Sequence, residues 1–98
     1  MNKVRLTEVM DSCEFRFEWL NKQTCGCAIF EDKLIVINYI LCLADTIIHE
    51  MIHIAEPGWN EKKVLEETYK TLQRLTVEEL TELVKEVMDR CQHSKTSD

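Results

Sequence analysis

His49-Glu50-Met51-Ile52-His53 sets two imidazoles four residues apart, with a carboxylate directly after the first. On an α-helix, positions i and i+4 lie one above the other, so both rings can reach a single ion from one face. Zinc held this way lowers the pKa of a coordinated water to about 7, and a neighbouring carboxylate can accept that water's proton as it attacks a polarised carbonyl. The pentapeptide therefore predicts Zn2+ as cofactor, His49 and His53 as metal ligands, Glu50 as catalytic base and peptide-bond hydrolysis as the reaction.

Such a site needs a helix that runs through the motif and then stops. Residues 44–55 are rich in Ile, Met and Ala without Gly or Pro, Asp45 suits an acidic first turn, and Pro57-Gly58 forms the stop. Ile47, Ile48, Met51, Ile52 and Ala55 are expected to bury much of this helix. Two imidazoles and a carboxylate on so apolar a segment are costly unless a metal or hydrogen bonds satisfy them.

Catalytic zinc takes three protein ligands and leaves the fourth position for water, so one ligand must come from outside the pentapeptide. Asn60 is a plausible N-cap for a second helix over residues 61–75. At 100° per residue, Val64, Leu65, Thr68, Leu72 and Leu75 define its inward face, and Glu61 falls near the middle of that arc. A short turn makes the two helices a hairpin, which brings Glu61 level with His53. Geometry favours Glu61 as the third ligand, with Glu66 and Glu67 as alternatives and an acidic dipole-complementing role as the plain reading. Glu56 points away from the metal side, and His93, at the edge of the polar tail, is not expected to be a ligand.

Elsewhere, Val4 and Leu6, with Thr7 to Val9 as an extension, suggest a short opening strand, and residues 14–20 alternate, with Phe15, Phe17 and Trp19 opposite Glu14, Arg16 and Glu18 in a half-buried strand, a helix being the alternative for the same residues. Residues 25–30 and 34–38 flank the polar turn Glu31-Asp32-Lys33 as a hairpin, its second limb apolar on both faces and so central. Thr76-Val77-Glu78-Glu79 matches a capping box. After it, Val77, Leu80, Val84, Val87, Met88 and Cys91 recur at helical spacing. Strands followed by helices give an α+β chain: a small antiparallel or mixed sheet packed against the motif helix and two further C-terminal helices. Residues 1–92 are read as one domain and 93–98 as a disordered polar tail.

Eighteen acidic and twelve basic side chains give a formal charge of −6. The basic residues are scattered, which argues against nucleic acid as a partner by direct charge attraction. No apolar h-region follows the N-terminal charges, and Asn38, Asp45, His49, Glu50 and His53 interrupt the apolar run 34–55, so neither a secretory signal nor a membrane span is expected. The five cysteines form no regular framework, as in a reduced cytoplasmic protein. A second metal site from Cys13, Cys25 and Cys27 is a lesser possibility.

The segments Lys33-Leu34-Ile35-Val36-Ile37-Asn38 and Ala44-Asp45-Thr46-Ile47-Ile48-His49-Glu50-Met51-Ile52-His53 together resemble the core of small zincin-like HExxH metallopeptidases. These include ImmA/IrrE-type proteins, SprT-like proteins and short phage-encoded members. Pro57-Gly58-Trp59-Asn60-Glu61-Lys62-Lys63-Val64 is similar to the segment after the motif in the short phage-type members, where an acidic residue opens the next helix. The likeness covers residues 25–75 and rests on one specific motif. It implies a minimal zincin-like fold, His49 and His53 as ligands, Glu50 as the catalytic carboxylate, and the strand at residues 25–30 as a sheet edge for an extended peptide. Unlike SprT-like proteases, the chain has only His93 as a later histidine and no zinc ribbon. The longer glutamate-bearing segment and DNA-binding module of ImmA/IrrE-type proteins are not evident either.

The leading expectation is thus a cytoplasmic zinc metallopeptidase acting on a peptide or protein substrate, with narrow, latent or partner-dependent activity because so small a domain offers little cleft wall. The alternative is a non-catalytic zincin-like protein that acts through association. Tyr39 and Tyr69 are expected in the core, with a phenolic hydrogen bond to substrate as the lesser role. Oligomeric state stays open, since the apolar stripe of the last helix suits a dimer as well as the core.

Overall fold

The computed structural model describes residues 1–91, so the tail at 93–98 and His93 lie outside the described residues. The chain is α+β: α1 (Lys3–Ser12), β1 (Glu14–Phe17), β2 (Gly26–Ile29), β3 (Leu34–Ile37), α2 (Tyr39–Ala55), α3 (Glu61–Arg74) and α4 (Val77–Arg90). Two compact units are distinguished, Met1–Leu41 and Cys42–Asp98, and their boundary falls within α2.

In the first unit the expected opening strand is a helix. Asn2 caps it by accepting the Arg5 backbone N–H at 2.8 Å, and no α1 residue is buried. A local cap, rather than an apolar face, sets this helix, which is why alternation at Val4 and Leu6 misleads. The sheet is mixed, in the order β1-β3-β2, with β1 parallel and β2 antiparallel to β3. The hairpin turns where expected: Lys33 donates its backbone N–H to Phe30 O at 3.2 Å and takes a left-handed φ of 49°. Gly26 is needed where it stands, because a Cβ there would lie 3.0 Å from Val36 O.

β3 is central, as expected, with Leu34 and Val36 buried and Ile35 and Ile37 half-buried. The half-burial expected of β1 is not found: all four residues are exposed, including Phe15 and Phe17. Asn38, fully buried between β3 and α2, donates its side-chain amide to Asn21 O and Thr24 O at 2.8 and 2.9 Å. It thereby fastens the segment before β2 to the start of α2.

α2 begins five residues earlier than expected, so Asp45 sits in its interior rather than its first turn. Ala44 and Ile48 are buried, but Met51, Ile54 and Ala55 are exposed, so the motif helix is buried along one side only. In α3, Val64, Thr68 and Leu72 are buried while Leu65 is exposed, which narrows the inward face. The Thr68 hydroxyl is satisfied by Val64 O at 2.8 Å. The capping box of α4 is formed: Thr76 Oγ1 accepts from Glu79 N at 3.1 Å and Glu79 Oε1 accepts from Thr76 N at 2.9 Å. Leu80 and Val84 are buried and Met88 and Cys91 exposed, so the stripe fades along the helix. Tyr39 and Tyr69 are exposed rather than core; Tyr39 meets Phe17 edge-on with ring centroids 5.6 Å apart. No helix among the described residues is long and apolar enough to cross a membrane.

Leu80→Ala should destabilise the fold by about 2–5 kcal/mol, because it empties a fully buried site. Leu65→Ala should change stability by less than about 0.5 kcal/mol, because that side chain is exposed. Urea denaturation followed by circular dichroism measures both; equal losses would contradict this division between buried and exposed positions.

Candidate metal centre

Three features of the chain converge on one point in the second unit. α2 holds His49 and His53 one turn apart, with ring centroids 4.9 Å from each other. The helix then ends at Ala55, and the reversal is compact: Trp59 donates its backbone N–H to Glu56 O at 3.1 Å. Asn60 caps α3 by accepting the Lys63 backbone N–H on Oδ1 at 2.8 Å, which makes Glu61 the first residue of that helix.

Glu61 reaches back to both imidazoles. Its Oε2 lies 3.1 Å from His49 Nε2 and its Oε1 lies 3.0 Å from His53 Nε2. One potential donor atom from each of the three residues lies within 4.8 Å of the other two, and this is the cluster with metal-ligating character among the described residues. Its covering is graded, with side-chain exposures of 17% for His49, 35% for His53 and 59% for Glu61. The inner imidazole is thus set against the protein while the carboxylate side opens to solvent.

The donor types are among those that zinc accepts. Nitrogen and oxygen ligands at about 2.0–2.1 Å from a tetrahedral ion stand about 3.3 Å from each other. The His–Glu separations of 3.0 and 3.1 Å run to different oxygens of the Glu61 carboxylate; they are near such an edge and are equally the lengths of ordinary hydrogen bonds. Two neutral nitrogens and one carboxylate are also a ligand combination that catalytic zinc sites use.

Glu50 is exposed on α2 next to His49, and its carboxylate has no hydrogen bond or ion pair among the described residues. Glu67 does not join the cluster: it pairs with Lys63 at 3.4 Å and Lys70 at 3.5 Å. Partial burial pushes its carboxyl upward, but attraction to Lys70 and hydrogen bonding and attraction to Lys63 outweigh this and hold the pKa below the ordinary glutamate value. Glu66 and Glu56 are exposed and outside the cluster, as are Cys25 and Cys27, and the half-buried Cys13 is outside it too. Trp59 has a place here that the residue pattern alone does not assign it. Its ring lies 5.1 Å from the Lys63 ammonium, across the cap of α3, and the Trp-x-x-x-Lys spacing around the capping Asn60 is the signal that could reveal it.

Comparison with protein-family models, with curated proteins and with solved structures finds no match for this chain. Class assignment therefore rests on what the chain itself displays: an α+β fold bearing a two-histidine, one-carboxylate triad on a helical hairpin.

Because the Glu67 pKa is depressed, its ion pairs should stabilise the fold above the ordinary glutamate value and lose that contribution as pH falls through the depressed one. The stability difference between wild type and Glu67→Gln should be constant at neutral pH and shrink below about pH 4. Urea midpoints measured across that range test the sign, and a gap that widens on acidification would contradict it.

Proposed function

We propose that this chain is a zinc-dependent peptidase of the HExxH type, with His49, His53 and Glu61 as the metal ligands and Glu50 as the catalytic carboxylate. The observation that carries the proposal is the return of Glu61 to both imidazoles at 3.0 and 3.1 Å, beside an uncommitted Glu50 carboxylate. When bound, the ion supplies a Lewis acid that acidifies a coordinated water and polarises the scissile carbonyl. Glu50 would accept the proton of the attacking water on its exposed carboxylate and return it to the departing amine nitrogen. His49, partly covered and anchored in the same turn as buried Ile48, would keep the ligand frame in place. The five cysteines, none of them in a disulfide, accord with work in a reducing compartment such as the cytoplasm.

A second reading has its own observation. Nε2-to-oxygen distances of 3.0 and 3.1 Å are also ordinary hydrogen-bond lengths, so the triad can serve as a polar clamp between α2 and α3 in a protein that acts by association. Elemental analysis of protein purified without added metal separates the two. The peptidase reading expects one zinc per chain, lost in His49→Ala, weakened in Glu61→Ala and kept in Glu66→Ala. It also expects Glu50→Gln to retain the zinc while peptide hydrolysis falls by about 10²–10⁴-fold. Wild-type protein that stays free of zinc after reconstitution, or a Glu50→Gln variant that hydrolyses at the wild-type rate, would refute it.

A further inference from the structure

Among the described residues, the first unit carries an unpaired sheet edge. β1 is bonded to β3 on one side only, and the parity of its backbone is fixed by two bonds: Glu14 N–H to Lys33 O at 2.8 Å and Glu18 N–H to Ile37 O at 3.0 Å. Even-numbered residues therefore spend their backbone groups on β3. The N–H and C=O groups of Phe15 and Phe17 point away from the sheet.

The side chains on this edge are arranged with the same regularity. Phe15 and Phe17 lie on one face, 44% and 68% exposed, and Glu14, Arg16 and Glu18 on the other. Arg16 Nε lies 2.9 Å from Glu14 and its Nη1 lies 3.7 Å from Glu18. An edge with outward backbone groups, exposed aromatics and charges of both signs is a template for another strand.

We infer that β1 pairs antiparallel with β1 of a second copy of this chain, about a two-fold axis at Phe15. In that register Phe15 faces its own counterpart, and two Phe15 residues with outward backbone groups form a reciprocal hydrogen-bonded pair. Glu14 of each copy stands opposite Arg16 of the other, so the charged face is complementary in both directions. On the aromatic face Phe15 covers Phe15 and Phe17 faces Cys13, which is already extended at φ −115° and ψ 152°. Centring the axis on Phe17 would instead demand strand geometry at Trp19 and Leu20, beyond the end of β1. The two three-stranded sheets become one sheet of order β2-β3-β1-β1-β3-β2, closed by two-fold symmetry. This assembly does not depend on the metal-site reading.

Sedimentation velocity across a concentration series tests it. The wild type should pass from monomer to dimer, and the single variants Glu14→Arg and Arg16→Glu, which set like charges opposite each other, should each weaken dimerisation by about tenfold or more. Mixing the two single variants should restore it, because one chain then offers positive charge at both positions and the other negative charge at both. A loss of monomer folding could not produce that rescue. Phe15→Pro should abolish the dimer while leaving the far-ultraviolet circular dichroism unchanged, since the N–H it removes faces outward and proline is tolerated on a sheet edge. A wild type that stays monomeric throughout the series, or a mixture no more dimeric than its components, would overturn the proposal.

Discussion

The candidate site hangs on the phase between two helices. His49 and His53 share a face only while α2 runs unbroken through both. Glu61 can answer them only if α2 stops soon afterwards and α3 starts at a fixed rotation. A residue added to or removed from α3 between Glu61 and Val64 would rotate Glu61 by about 100° relative to the buried face of that helix and carry it off the imidazoles. Pro57, Gly58 and the Asn60 cap set the length of the intervening turn. The two helix termini also suit the pair: Glu61 opens α3, where the dipole favours an anion, and His53 lies in the last turn of α2, where it favours positive charge.

A site at the meeting of two helix ends is inherently exposed, and its precision must come from the faces behind it. Those faces are well buried. Ala44 and Ile48 lie on α2, Val64, Thr68 and Leu72 on α3, and Leu80 and Val84 on α4, none more than 5% exposed. Val64 lies three residues from Glu61 and Ile48 is adjacent to His49, so these two side chains are within a turn of buried ones that cannot shift without opening a cavity. A short polar constellation is in this way backed by rigid elements while its open side remains reachable.

Much of this arrangement is legible in the residues because the signals are local. The i, i+4 histidines, the Asn60 cap, the Thr76–Glu79 capping box and the Glu31-Asp32-Lys33 turn each act within a few residues, and each appears where the residue pattern puts it. Glu61 is reachable by helix phase because one buried face, Val64–Thr68–Leu72, fixes the wheel. The misreadings share another cause. α1 buries nothing, so no apolar period marks it as a helix; only Asn2 does. The early start of α2 escapes notice because Asp45 imitates a first-turn acid, while Tyr39–Leu41 continue the helix without a charge of their own. Hydrophobicity assigns Phe15, Phe17, Tyr39 and Tyr69 to an interior they do not occupy, since a residue's type says which surface it prefers and not whether a surface is supplied.

The exposure of those aromatics bears on how the first unit should be understood. Apolar side chains left exposed on a strand that also leaves its backbone groups unpaired are a liability for a solitary chain. Alternating charges reduce the liability, and β1 has them: Glu14, Arg16 and Glu18 are paired within the strand. Yet a purely protective edge needs only repulsion, as a row of lysines gives. Placing an arginine between two glutamates lets the strand reject most registers and accept those in which opposite charges meet. Antiparallel pairing about Phe15 meets that condition and also uses the outward backbone groups. The alternation that imitates a half-buried strand is thus explained by a surface that is selective in what it pairs with, and a closed two-fold pair consumes this edge without propagating from it.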